Sequence, residues 1–274
     1  MSSPELYAYF KRIGYDSDAK PTLETLRAIH RLHPEHIPFE NLDPLCGLPA
    51  KLDMPSLQKK LIDTQRGGYC YEHNLLLKKM LETLGYRVKG LAARVRWNVP
   101  NNVTMPMTHM LLRIEIDGTD WIADVGFGGQ VLTGPLRLEP DVTQSTPHED
   151  FRLNQTGTHY TLETQIREHW VPVYSFDLHE PLMPDYELSN WYVSTHPASR
   201  FVTGLTVART EPNCRYTLRN ADFAIHPLRG ATQRHRLSSL GELKNALGDC
   251  FHISLPPHAN LDSQLARVLE TPSA

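Results

Sequence analysis

Two hydrophobic periods divide the chain. In its first third, apolar residues recur every three or four positions: Leu6, Tyr9, Phe10 and Ile13; Leu23, Leu26 and Ile29; Leu57, Leu61 and Ile62; Leu76, Leu77, Met80, Leu81 and Leu84. That spacing lines one face of an amphipathic helix, so each group predicts a helix and together they predict a helical bundle. Ser3-Pro4-Glu5 supplies a cap, a first-turn proline and an early acid for the first helix, and Gly14 stops it. The second begins at Thr22 and is expected to end near Pro34, and Gly85 is placed to cap the last in the left-handed conformation.

After Tyr86 the period changes to two. Val88, Leu91, Ala93 and Val95 read as a strand leading into a loop at Pro100-Asn101-Asn102, and strands are expected as far as about Trp191. Beyond it, Phe201 to Ala208 and Cys214 to Leu218 read as strands, and Ser239 to Leu247 and Leu261 to Leu269 as helices, in a small mixed unit. The division expected is therefore 1–85, 86–191 and 192–274, an α+β chain whose parts pack into one body, since no repeat or long linker separates them.

One hairpin can be read in register. Asp117-Gly118 is a two-residue type I′ turn, which pairs Ile116 with Thr119 and then Ile114 with Trp121, Leu112 with Ala123, and Met110 with Val125. One face is then apolar throughout. On the other, Leu111 lies across from Asp124 and His109 across from Gly126, which makes His109 and Asp124 diagonal neighbours, roughly 7 to 8 Å apart at Cα. A one-residue slip would put them on opposite faces, and the apolar match opposes it.

Candidate chemistry converges on Cys70. It follows Arg66-Gly67-Gly68-Tyr69 and opens the helix of Leu76 to Leu84, so it belongs in a first turn, where free N–H groups and the helix dipole favour a thiolate. With His109 as base and Asp124 holding its tautomer, the trio suits attack on a carbonyl, and the N–H of Tyr71 is placed to meet the oxyanion. The register links His109 to Asp124 only; bringing Cys70 to them is an expectation about the tertiary fold.

Composition narrows the class. The 274 residues are 40% hydrophobic and 22% charged, with a net charge of only -3, an ordinary globular balance with room for one substantial core or a few packed units. No basic stripe points to nucleic acid, no apolar run reaches the length of a membrane span, and Met1 to Tyr15 does not read as a secretory leader. Cys46, Cys70, Cys214 and Cys250 lack the spacings of a disulfide framework or zinc ribbon, so reduced thiols and a cytoplasmic location are expected. His30, His33 and His36 suggest a metal site, but Pro34 is expected to break their helix and no zinc spacing matches. Gly126-Phe127-Gly128-Gly129 lacks the Lys-Ser/Thr of a phosphate loop. Glu40 and Arg66 read as a structural ion pair beside the Cys70 turn.

Five segments together resemble a known family, the bacterial-type arylamine N-acetyltransferases: Tyr9 to Tyr15, Ile37-Pro38-Phe39-Glu40-Asn41-Leu42, Arg66 to Asn74, Thr108-His109, and Trp121 to Gly128. The resemblance implies a helical bundle, an antiparallel β-barrel domain and a C-terminal α/β lid around a cysteine-protease-like core, with a catalytic triad on Cys70, His109 and Asp124. It implies ping-pong acetyl transfer from acetyl-CoA, a co-substrate rather than a resident cofactor, to arylamines, arylhydrazines or N-hydroxyarylamines. Phe39, Val95 and Phe127 match the aromatic acceptor pocket, and Thr108, Gly126 and Gly128 fall where CoA would approach; monomer and homodimer both stay open. Tyr71 and His73 depart from the family's usual residues, and His73 is expected to alter local charge. Two other classes fit the residues: a thiol hydrolase or transglutaminase-like acyl transferase with the same trio, and a non-enzymatic binding module that has kept the scaffold.

Overall fold

The structure, a computed structural model, describes residues 3–100 and 102–272; Asn101 of the expected loop lies outside them. Helix α1 (Pro4–Ile13) is capped by the Ser3 side chain and ends at Gly14, whose φ of 72° is the left-handed stop its sequence predicts. Helix α2 spans Leu23–His36 and carries Pro34 inside it, which corrects the expected end. The proline falls in the last turn, where the ring removes one hydrogen bond only, and Ile37 N–H still closes the helix on the His33 carbonyl. Short α3 (Leu42–Leu45) and α4 (Met54–Leu57) follow, α4 running on as a π-helical turn over Gln58–Asp63. Helix α5 (Cys70–Thr83) opens on Cys70.

Eight strands then form one antiparallel sheet: β1 (Arg87–Val95), β2 (Met107–Ile116), β3 (Thr119–Ala123), β4 (Leu136–Arg137), β5 (Gln144–Ser145), β6 (Asp150–Thr156), β7 (His159–Ile166) and β8 (His169–Phe176). Their order is β4-β3-β2-β1-β8-β7-β6-β5, so the sheet curls into a nearly closed barrel around Leu91, Leu111, Ile122, Phe151, Leu162 and Tyr174. The seam between β4 and β5 is spanned by one side chain: Gln144 accepts from Arg137 N–H at 2.7 Å and donates to the Arg137 carbonyl at 2.9 Å. A carboxamide thus stands in for a ladder pair.

Strand structure stops at Phe176, short of Trp191, because α6 (Met183–Thr195) occupies that stretch. Pro184 in its first turn and the Asp185 carboxylate, which accepts from Leu182 N–H at 2.8 Å, explain the start. Phe201 likewise sits on a helical turn, α7 (Arg200–Thr203), instead of a strand, since Ser199 caps that turn through Phe201 N–H. A second sheet of β9 (Thr206–Glu211), β10 (Cys214–Arg219), β11 (Asp222–Pro227) and β12 (Gln233–Arg236) packs with α8 (Leu240–Asn245) and α9 (Leu261–Glu270) around Leu218, Leu247 and Phe251. A π-helical turn, Ala246–Cys250, extends α8.

Three local contacts tie these parts together. Phe39 forms backbone bridges to Gly68 on one side and Ala208 of β9 on the other. The buried Asn41 side chain donates to the Phe201 and Gly204 carbonyls and accepts from Thr206 N–H, all at 2.7 Å. Gly126 lies so close to α5 that a Cβ there would sit 2.7 Å from Cys70 Cα.

That last contact predicts the effect of one added methyl. Gly126→Ala meets backbone, which cannot turn aside, and is expected to cost about 1–3 kcal/mol of stability. Gly248→Ala, with nothing within 4 Å of the added atom, is expected to change stability by less than about 0.5 kcal/mol. Urea unfolding of both variants checks the contrast.

Candidate active site

Cys70, His109 and Asp124 come from α5, β2 and the segment just after β3, and all three are buried. The expected hairpin register is present, with Ile116 opposite Thr119, Ile114 opposite Trp121 and Leu112 opposite Ala123. Asp117 and Gly118 both take positive φ, as a type I′ turn requires. His109 Nε2 lies 2.7 Å from Asp124 Oδ2.

The Met110–Val125 pair of that register is not formed directly. The ladder ends at Ala123, and the Asn74 carboxamide stands between the strands instead, donating to the Met110 carbonyl at 2.7 Å and accepting from Val125 N–H at 3.2 Å. Asn74 Nδ2 also reaches Asp124 Oδ1 at 2.9 Å, and Gly126 N–H donates to the same oxygen at 2.9 Å. The backbone N–H of Asp124 donates to His30 Nε2 at 3.1 Å. A fully buried carboxylate is thereby met by three donors, which is what its ionisation there demands. Burial alone would raise the Asp124 pKa, but the charge and hydrogen bond of His109, with Asn74 and Gly126, bring it below the usual value.

Electrostatics at His109 follow from the same contact. Burial disfavours its imidazolium, yet the Asp124 charge and the Cys70 sulfur outweigh burial and lift its pKa to about 10. With Nε2 on Asp124, Nδ1 is the ring nitrogen left for the thiol. The Cys70 Sγ lies 3.6 Å from the Thr108 carbonyl, which is free because β2 carries an irregularity opposite Ala93 and Arg94: His109 pairs with Ala93 and Met107 with Arg94, skipping Thr108. Tyr174 packs its ring 4.9 Å from that of His109, and burial, then the Asp124 charge, keep its phenol protonated far beyond neutrality.

The turn that presents Cys70 rests on a buried charge cluster. Arg66 contacts Glu40 at 2.7 Å and Asp43 at 2.6 Å, which bears out the Glu40–Arg66 pair, and Lys60 joins Asp43 and Glu72, each at 2.7 Å. Glu72 Oε2 accepts from Tyr69 N–H at 3.0 Å and Glu40 Oε2 from Leu42 N–H at 2.6 Å, so the charges also hold backbone N–H groups just before Cys70 and at the start of α3.

His73 does not add charge to this centre, contrary to expectation. Its Nε2 faces the Gly68 and Pro38 carbonyls at 3.0 and 3.2 Å, its Nδ1 lies 2.9 Å from His33 Nε2, and His33 Nδ1 lies 2.8 Å from the Tyr9 hydroxyl. Because carbonyls only accept, His73 Nε2 carries the proton, His33 donates to His73, and Tyr9 donates to His33. Burial, opposed by the Pro38 and Gly68 carbonyls, pulls His73 down to about 4, and burial opposed by Asp124 does the same to His30. The suspected metal histidines thus serve other ends, and among the described residues no cluster of three or more such side chains is placed to hold an ion.

The remaining expected site residues lie around the trio. Phe127 meets the His109 ring edge-on at 5.1 Å and Tyr174 at 5.4 Å, and Val95 pairs with Tyr174 across β1 and β8. Phe39 lies parallel to His73 and 5.8 Å from Phe201, an aromatic neighbour that a strand reading of its segment hides. The glycines have local tasks: the close approach at Gly126 is made by Cys70 and Asn74, and that at Gly128, with φ 83°, by the Phe39 ring.

Comparison with known proteins gives this geometry its class and then its family. A sequence model described as N-acetyltransferase matches residues 22–260. The arylamine N-acetyltransferase of Mycolicibacterium smegmatis is 45% identical over 273 residues, covering 97% of this chain and 99% of that one, and the Escherichia coli enzyme is 38% identical over 92% and 90%. A Mycobacterium marinum arylamine N-acetyltransferase solved in complex with CoA superposes with a TM-score of 0.92 at 39% identity, covering 96% and 99% of the chains. The chain belongs to the arylamine N-acetyltransferase family.

The neutral histidines set a pH dependence. An unfolded chain protonates histidine near pH ~6.5, whereas folded His30 and His73 resist until about 4. Between those values the unfolded state binds more protons, so stability is full above the window and falls as pH drops, by up to about 1.4 kcal/mol per pH unit for each group. The raised His109 acts oppositely: its contribution is full below about pH 6.5 and is lost as pH rises towards about 10. Urea midpoints across this range should decline less steeply on the acid side in His73→Gln than in the wild type, and parallel declines would refute the assignment.

Proposed function

We propose that this chain moves an acetyl group from acetyl-CoA to small arylamines, arylhydrazines or N-hydroxyarylamines through a thioester on Cys70. The observation that carries the reading is the buried His109–Asp124 contact at 2.7 Å beside the first residue of α5. Family membership supports it. One relative, from Salmonella typhimurium, is named both arylamine N-acetyltransferase and N-hydroxyarylamine O-acetyltransferase.

In this reading His109 Nδ1 takes the Cys70 proton, and Asp124 stabilises the imidazolium. The thiolate attacks the acetyl carbonyl, and the oxyanion is met by an N–H of the α5 first turn, where Tyr71 N–H has no intrahelical acceptor. The C–S bond to CoA breaks, and His109 returns the proton to the leaving thiolate. The amine then attacks the acetyl-Cys70 carbonyl, loses its proton to His109, and Cys70 leaves as thiolate. Phe39, Val95 and Phe127 would hold the acceptor ring, while Thr108, Gly126 and Gly128 would border the path of the CoA thioester. The bundle of residues 1–85 would supply the nucleophile, the barrel-bearing segment 86–191 its base and the carboxylate that orients it, and the segment 192–274 the cover that keeps water from the thioester. No described helix is long and apolar enough to cross a membrane.

Mass spectrometry after mixing with acetyl-CoA alone should find one acetyl group on Cys70 and none in Cys70→Ala; an adduct that survives in Cys70→Ala defeats the mechanism. Adding an arylamine should discharge it, whereas spontaneous release as acetate would point to a hydrolase. His109→Gln and Asp124→Ala should each slow alkylation of Cys70 near neutral pH by about 10²-fold or more. Unchanged labelling would remove the ion-pair argument.

A further inference from the structure

Beside the barrel seam, α2 with β3 and β4 borders an open groove of about 710 Å³. Its lining includes Arg27, Arg31, Arg137, Trp121, Pro135 and Ser145, and contains no acidic residue. The volume falls within the range of small-molecule sites. Three guanidinium groups around one concavity are unexpected in a chain whose net charge is -3.

Internal pairing of those charges is partial. Arg27 makes no ion pair among the described residues and lies over the Trp121 ring, 5.8 Å from its centroid. Arg31 has Glu35 at 3.8 Å, and Arg137 has Glu139 at 3.2 Å with both side chains about half exposed, a contact that solvent screens. Neither acid lines the cavity. Positive groups along a low-dielectric concavity focus their field into it, and planar guanidinium forks match a carboxylate or phosphate in two-pronged fashion. The half-buried Trp121 adds an apolar surface beside them.

We infer that this groove binds a small aromatic anion, its ring against Trp121 and its carboxylate or phosphate between Arg27, Arg31 and Arg137. The site is separate from the Cys70 centre and does not rest on the acetyl-transfer reading. Aromatic carboxylates and nucleotides share the required chemistry, so calorimetric titrations with salicylate and with ADP distinguish the two sources, and salicylamide and adenosine serve as uncharged counterparts. At least one anion should bind, its counterpart about tenfold or more weaker, and Arg27→Gln with Arg31→Gln should weaken the anion by at least about tenfold. Arg137→Gln alone should weaken it several-fold, and all three positions are at or near the surface, so an unchanged thermal midpoint separates lost binding from lost folding. The Cys70→Ala variant should bind as the wild type does. The inference is overturned if neither anion binds, if charged and uncharged forms bind alike, or if the arginine variants retain full affinity.

Discussion

A carboxylate with no solvent access needs donors, and the arrangement around Asp124 is the answer that organises this protein. His109, Asn74 and Gly126 N–H supply them, from the barrel, from α5 and from the chain just beyond Asp124 itself. Asn74 is the consequential member, because its carboxamide occupies the place of a ladder pair between Met110 and Val125. A helix side chain that completes a β-hairpin cannot drift from it. The first turn of α5, with Cys70 four residues before Asn74, is fixed to the barrel through the same carboxylate that orients His109, and glycine at 126 lets the two backbones meet.

Histidines of identical intrinsic chemistry are driven in opposite directions by what faces them. His109 faces a carboxylate and a sulfur and is lifted to about 10, whereas His30 and His73, equally buried, are pulled down to about 4. A ring that meets a backbone N–H or a carbonyl gains too little from charging to offset desolvation. His30 and His73 thus act as neutral brackets around the centre, one holding the Asp124 backbone and the other the Gly68 and Pro38 carbonyls. The electrostatic field at Cys70 is then set by the pair beside it and the helix start beneath it.

What the sequence disclosed follows the range of each interaction. A type I′ turn fixes its own register, so His109 and Asp124 could be paired from ten or so residues of alternation, and a double glycine before an apolar period placed Cys70 at a helix start. Features that depend on distant partners left no period to read. Asn74 in the hairpin, the skipped Thr108, Gln144 across the seam and the Phe39–Phe201 ring contact each join groups far along the chain or outside the ladder. Pro34 misled for a different reason: a proline rule that is sound for a helix interior is weak in a last turn, where few hydrogen bonds remain to be lost.

The short motif Pro38-Phe39-Glu40-Asn41-Leu42 gathers such long-range duties into five residues. Pro38 offers its carbonyl to His73 and to Gly68 N–H, and Phe39 bridges Gly68 and Ala208 while its ring meets Phe201. Glu40 receives Arg66, and Asn41 clamps residues 201 to 206. The contacts to residues 66–73 stay within the helical bundle, whereas Phe39 and Asn41 reach residues 201–208, so the motif joins the turn before Cys70 to the C-terminal part of the chain. Five consecutive residues thereby brace the segment before Cys70 from within the bundle and from the C-terminal part at once, which no local pattern in the motif announces.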